Sequence, residues 1–266
     1  MKKLKTLFIA IMVIVTAVIG TIALVGCDKG NYLTVATNAE FPPFEYYEGK
    51  NIVGIDMDYI DAIAKELGYD GAKIEHMDFD SVIPSIQSGK FDVAIAGLTV
   101  DEERSQKVDF SDTYFHAAQT IIYKDNATFG NLTSEEEIWE ALKGKKIGVA
   151  KGYSGDLMID DALSEGGILA GTGATTTKVK TGSLAVQELI NNKVDVVIID
   201  IAPAQVFVQK FADKGVKASS IEMGEEEYAI ALKKGNSELL EKINKAMKVL
   251  YDNGTYDNIK NKYLNA

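Results

Sequence analysis

The chain has 266 residues, 28 of them basic and 39 acidic, for a formal net charge of −11. That surplus of carboxylates argues against a nucleic-acid partner, while an apolar share of 46% over this length suffices for one large or two modest buried cores. One cysteine and two histidines allow no internal disulfide and form no cluster at ligand spacing, so no metal or cofactor is expected.

Lys2, Lys3 and Lys5 precede an uncharged stretch from Thr6 to Gly26, the build of a secretory signal with a basic front and an apolar middle. The stretch is close to the roughly 20 residues that cross a bilayer, so an uncleaved anchor helix is the alternative. That alternative leaves Cys27 without a role. Leu24-Val25-Gly26-Cys27 resembles the lipobox of bacterial lipoproteins. The resemblance implies a signal over residues 1–26, a lipidated Cys27, a tether over 27–31 and a protein anchored on the extracytoplasmic face of the cell membrane. Without its first 26 residues the chain keeps 25 basic and 39 acidic residues, a net charge of −14.

Leu33 to Ala36 form a short apolar strand, and Asn38 to Pro43 break it. Ile60, Ile63, Ala64 and Leu67 make an i, i+3, i+4, i+7 stripe, which predicts a helix with Asp56 as N-cap and Gly68 as its stop. A second helix is predicted from Asp80 to Ser88 and a strand from Phe91 to Ala96. After Lys145 the pattern returns, with a strand over Ile147–Ala150, a helix over Asp156–Leu163, a strand over Thr176–Val179, a helix over Ser183–Asn191 and a strand over Val194–Ile199. Two helices parted by Asn253-Gly254 fill Ser237 to Tyr263. Glu225-Glu226-Glu227 is expected to be a solvated segment crossing between lobes, ahead of a strand from Tyr228 to Leu232. Apolar strands alternating with amphipathic helices indicate α/β architecture, each lobe a sheet covered by helices.

Gly89-Lys90-Phe91-Asp92-Val93-Ala94-Ile95 and Asn192-Lys193-Val194-Asp195-Val196-Val197-Ile198 agree in turn, lysine, aspartate and strand, which points to two copies of one unit. Gly97 and Asp200 then stand at matching carboxyl ends of matching strands, where open α/β sheets bind ligands. Gly97 lets a ligand approach the backbone, Thr99 offers a hydroxyl, and Arg104 carries a planar fork suited to a carboxylate. Arg104 could instead pair with Asp101 or Glu102 on its own helix. Asp200 ends a Val/Ile strand, where a carboxylate is costly unless it meets a cation or donors; it suits an ammonium group or caps the next helix. No nucleophile elbow and no phosphate loop is present.

Several strings together resemble the extracellular solute-binding proteins for polar amino acids, the capture subunits of ABC importers. They are Ala36-Thr37-Asn38-Ala39-Glu40-Phe41-Pro42-Pro43-Phe44-Glu45-Tyr46, Val53-Gly54-Ile55-Asp56-Met57-Asp58, Met77-Asp78-Phe79-Asp80-Ser81-Val82-Ile83-Pro84, the segment from Ala96 to Arg104, Val108-Asp109-Phe110-Ser111-Asp112 and Asp252-Asn253-Gly254-Thr255-Tyr256. The resemblance runs from about Tyr32 to Tyr263. It implies a two-lobed periplasmic-binding-protein fold of type II, with the ligand in the cleft. Lobe 1 would be 32–113 and 229–266, lobe 2 would be 119–223, and the hinges 114–118 and 224–228.

By the same resemblance Arg104 would clamp the α-carboxylate of a free L-amino acid, helped by Thr99 and the backbone at Gly97 and Ser154. Asp200 would take the α-ammonium, and Phe41 and Phe79 would sandwich the side chain. Lys151, Gly155 and Asn38 would read its tip. The protein would be a monomer that closes on its ligand and presents it to an ABC permease in the membrane. Asn38 stands where binders of cationic amino acids often carry Asp, and Lys151 would repel a positive side chain, so glutamine is the expected ligand; Glu40 keeps arginine and lysine open. A cyclohexadienyl-type dehydratase, with Asp200 or Glu40 as acid, and a ligand-sensing domain are the competing readings.

Overall fold

The computed structural model describes residues 30–124 and 127–265. The secretory signal and Cys27 lie outside the described residues, and among those described no helix is long and apolar enough to cross a membrane. Fourteen strands are present among them: β1 (Tyr32–Thr37), β2 (Glu40–Phe41), β3 (Glu45–Glu48), β4 (Asn51–Val53), β5 (Gly71–His76), β6 (Val93–Ala94), β7 (Val108–Phe110), β8 (Phe115–Lys124), β9 (Lys146–Ala150), β10 (Thr175–Val179), β11 (Val196–Asp200), β12 (Val216–Ala218), β13 (Met223–Tyr228) and β14 (Ala231–Lys233).

They form two main sheets, ordered β5-β1-β6-β14-β7 and β10-β9-β11-β8-β12, and a small sheet β2-β3-β4. The parallel trios β5-β1-β6 and β10-β9-β11 are copies of one another. Their entry turns match in detail: Gly89 and Asn192 both adopt positive φ, of 73° and 58°. The aspartates that follow do the same work, Asp92 accepting from the Thr34 amide at 2.9 Å and Asp195 from the Lys146 amide at 2.8 Å. Each carboxylate ties the incoming strand to the first residues of the central one, which accounts for the shared Lys-x-Asp spacing.

Both sheets are buried on two faces, as parallel sheets are. In β11, Val197 and Ile199 pack toward Val186, Leu189 and Phe207 of the helices Gly182–Ile190 and Ile201–Lys210. Val196 and Ile198 point the other way, toward Ile138 and Ile159 of the helices Glu135–Leu142 and Ser154–Leu163. The first sheet lies between the helix Ile55–Glu66, with the C-terminal pair Ser237–Asp252 and Thr255–Leu264, and the helix Phe79–Gln87.

Three sequence expectations change. The strand expected over Phe91–Ala96 is confined to Val93–Ala94; the Ile95 amide makes one more bond to β1, at the Ala36 carbonyl, and the Gly97 amide then turns to the Asp56 carboxylate. Asp56 is therefore not a cap: it is buried in the first helical turn, and Gly54 holds the cap position at φ 134°. The glutamate run is not a solvated crossing either. Glu226 and Tyr228 face inward on β13, with Glu225 and Glu227 outward, and β13 runs antiparallel to β8 with Glu226 opposite Ala117 and Tyr228 opposite Phe115. Two paired strands thus connect the two sheets.

Candidate ligand-binding site

Gly97 follows β6 at φ 52°, and an added Cβ would lie 2.7 Å from the Phe41 ring, so only glycine lets that ring lie against the backbone. Beyond it the chain reaches Thr99 and the helix Glu102–Lys107, capped by Asp101, whose Oδ1 accepts from the Arg104 amide at 2.7 Å. This cap points the Arg104 side chain inward. Buried beside the Phe79 ring, its guanidinium donates to the Thr99 carbonyl at 2.9 Å and, across the cleft, to the Gly152 carbonyl at 3.1 Å. Nε pairs with Asp101 at 3.2 Å. Helix pairing and cleft contact, alternatives in the sequence, coexist.

The opposite wall comes from the carboxyl ends of β9 and β11. Ser154 opens its helix with Oγ 2.8 Å from Thr99 Oγ1. Gly155 packs against β11, where a Cβ would fall 3.1 Å from the Ile198 carbonyl and 2.9 Å from Gln119 Oε1. It supports the wall and does not line the cavity. Asp200 is buried and accepts from the Tyr228 hydroxyl, with no side-chain capping bond to the next helix. Burial pushes its carboxyl up to about 7, repulsion from Glu226 adds to that, and hydrogen bonds from Tyr228 and Gln119 oppose it.

Glu226 was missed by sequence reasoning. It accepts from Thr99 Oγ1 at 2.6 Å and from Gln119 Nε2 at 2.8 Å, so the crossing strand adds a second carboxylate beside Asp200. Behind Gly97 lies a further acidic pair. Asp56 Oδ2 accepts from the Gly97 amide and from Tyr114 Oη, each at 2.9 Å, and burial pushes its carboxyl up to about 6. Burial, then repulsion from Asp56, holds Glu45 well above the ordinary carboxylate range. Among the described residues both Glu45 oxygens and Asp56 Oδ1 have no other partner; a proton on one Glu45 oxygen shared with Asp56 Oδ1 satisfies that pair and leaves the second Glu45 oxygen unmatched.

Phe41 and Phe79 form one side of the remaining space, with Asn38 buried behind Tyr153. The Asn38 amide donates to the Met77 carbonyl at 2.8 Å, which turns its Oδ1 toward the cleft. Lys151 does not join them: its ammonium sits 3.0 Å from Asp80 Oδ2, its side chain 66% exposed, and Lys180 pairs with Asp78 at 2.8 Å beside it. These pairs join the mouth of the cleft. Lys151 points outward because the chain turns at Gly152 (φ 78°), which sends Tyr153 inward instead. Among the described residues no group of three His, Cys, Asp or Glu side chains is placed to hold a metal ion.

Residues 33–266 match the profile of the bacterial extracellular solute-binding proteins, family 3. The arginine-binding extracellular protein ArtP of Bacillus subtilis is 33% identical over 252 residues, 91% of this chain and 93% of its own. A probable histidine-binding protein of Neisseria gonorrhoeae is 29% identical over 89% of this chain and 84% of its own. Among solved structures, an ancestral arginine-binding protein bound to glutamine aligns with a TM-score of 0.77 at 42% identity, covering 88% of this chain and 97% of that one. An ancestral arginine-binding protein bound to arginine gives the same score and identity. All of these are named for binding and none for a reaction.

Proposed function

The chain belongs to family 3 of the bacterial extracellular solute-binding proteins and has their two-lobed α/β fold, and on that premise we propose that it captures a free polar amino acid by closing its lobes and delivers it to an ABC permease. It is a binding protein rather than an enzyme, and the relatives lend no support to a dehydratase. One observation carries the reading. A buried guanidinium, Arg104, on the helix that follows β6 and bonded to the Thr99 carbonyl, and a buried carboxylate, Asp200, at the end of β11, come from the two repeated units, with Gly97 and Ser154 lining the cavity beside Asp200. A zwitterion's carboxylate would take over the Arg104 donors now used by the Thr99 and Gly152 carbonyls, helped by Thr99 and the Gly97 and Ser154 backbone. Its ammonium would lie on Asp200, with Glu226 close by.

Charge-assisted bonds contribute about 1.5–3 kcal/mol each, so two or three supply much of the roughly 8 kcal/mol behind micromolar affinity. Because the two poles are held by different lobes, the guest stabilises the closed arrangement over the open one. The lobes would be 32–113 with 229–266, and 119–223. The paired stretches 114–118 and 224–228 of β8 and β13 would absorb the motion.

Arginine is the favoured ligand and glutamine the second. Lys151, the residue that spoke against a cation, is held outside by Asp80. Arg104 is answered by Asp101, so Asp200 and Glu226 leave the interior in need of positive charge. The relatives named for arginine and histidine, and the ancestral protein seen with arginine and with glutamine, agree with this. Titration calorimetry against the twenty amino acids tests it: micromolar or tighter binding of arginine supports the reading, and no heat with any of them removes it. Lipid anchoring at Cys27 places the capture step at the membrane surface, and mass spectrometry of the mature N-terminus before and after Cys27→Ala checks it.

A further inference from the structure

Tyr153 connects β9 to the helix Ser154–Leu163 and is 7% exposed. Its ring lies against Phe79, with centroids 4.6 Å apart at 51°, and edge-on to Phe41 at 5.7 Å and 80°. Its hydroxyl donates to Asn38 Oδ1 at 2.8 Å. Asn38 follows β1 of the first sheet, Phe79 opens a helix packed on that sheet and Phe41 lies in β2 of the small sheet beside it, whereas Tyr153 follows β9 of the second sheet, so an aromatic side chain of one lobe is inserted into a slot of the other. The cavity left beside it, lined by Phe41, Phe79, Gly97, Tyr153, Ser154 and Asp200, has about 10 Å³. That is room for about one water molecule. A long side chain enters this cavity only where Tyr153 withdraws.

We propose that Tyr153 is a specificity-determining plug: the guest's side chain and the tyrosine ring compete for the Phe41–Phe79 slot, and the guest must replace the tyrosine's hydrogen bond to Asn38. The inference rests on the amino acid reading of the cleft. The competition selects by chemistry as well as size. With one amide N–H committed to the Met77 carbonyl, Asn38 turns its Oδ1 acceptor to the end of the slot, where Tyr153 now donates to it. A side chain that ends in N–H donors restores the bond that Tyr153 gives up, and a flat guanidinium also lies well on aromatic faces. A carboxylate tip leaves Asn38 Oδ1 facing negative charge, so acidic amino acids are rejected by a site that must otherwise stay unpaired. An amide tip can satisfy it with its NH₂ group.

Two variants of the purified protein test this, with calorimetry against arginine, glutamine and glutamate and with small-angle scattering of the ligand-free protein. Tyr153→Phe keeps the ring but removes the plug's bond to Asn38, so a larger fraction is competent to bind and arginine should bind about 3- to 10-fold tighter. Tyr153→Ala vacates the slot and should enlarge the ligand-free particle by favouring the open form. Weaker arginine binding in Tyr153→Phe would mean that the hydroxyl touches the guest, and it overturns the plug. Unchanged affinity together with unchanged scattering in both variants does so as well. If no amino acid binds the wild type while Tyr153→Ala still opens the particle, the plug stands and the amino acid reading falls.

Discussion

Thr99 donates its hydroxyl proton to Glu226 Oε2 at 2.6 Å, which fixes a carboxylate of the crossing strand β13 against the wall that leads to Arg104. Glu226 repels Asp200, and each gains from a positively charged guest. Glu226→Gln is expected to weaken arginine at least about tenfold and glutamine less, since removing one partner of a buried charge contact costs several kcal/mol. Calorimetry with both ligands checks this. Equal losses for the two would remove Glu226 from charge selection.

Asp200 sets a pH dependence. Its carboxyl is held near 7 in the folded protein against an ordinary 3.8, so the folded state binds the extra proton and its stabilising effect is complete below about pH 4 and lost as pH rises through 7. A guest ammonium favours the ionised form, so affinity should move oppositely and rise with pH up to about 7.5. Calorimetry at pH 5.5 and 8 should show tighter binding at pH 8, and Asp200→Asn should weaken binding and abolish that difference. A flat profile in the wild type would contradict the assignment.

The Glu45–Asp56 pair acts in the same direction, with Glu45 well above its ordinary range and Asp56 near 6. Glu45→Gln supplies a neutral donor of nearly the same shape, so it should be tolerated and should flatten the fall in stability between pH 5 and 8. Asp56→Ala orphans the Gly97 amide and the Tyr114 hydroxyl and should cost about 1–3 kcal/mol or more. Urea unfolding at both pH values reads these effects.

Lys151 pairs with Asp80 at the mouth of the cleft, where exposed ion pairs contribute little. Lys151→Ala should therefore weaken every ligand by less than about fivefold, leave their ranking unchanged and lose its effect at high salt. A changed ranking would return Lys151 to the pocket.

Much of this fold was legible in the chain. The apolar stripe from Ile60 to Leu67 marked the helix Ile55–Glu66, and the repeated Lys-x-Asp spacing marked equivalent turns because Asp92 and Asp195 bond equivalent strand starts. Arg104, Thr99, Gly97 and Asp200 were visible because strand ends carry ligand groups in such sheets. Glu226 was hidden by its neighbours, since three consecutive glutamates look solvated, although period-two alternation on β13 buries only the middle one. The roles of Tyr153 and Lys151 depend on the turn at Gly152, which sends one inward and the other out, and no spacing rule reports that direction. Glu45 and Asp56 meet only through the packing of β3 on its neighbouring helix.

The most direct test of the account is calorimetry of wild type and Arg104→Ala with arginine and with its decarboxylated analogue agmatine. The wild type should prefer arginine, and Arg104→Ala should lose at least about 30-fold in arginine affinity and fall to about the level of agmatine, because the contact to the carboxylate is removed. Arginine affinity in Arg104→Ala within a few-fold of the wild type would contradict the carboxylate clamp on which the rest is built.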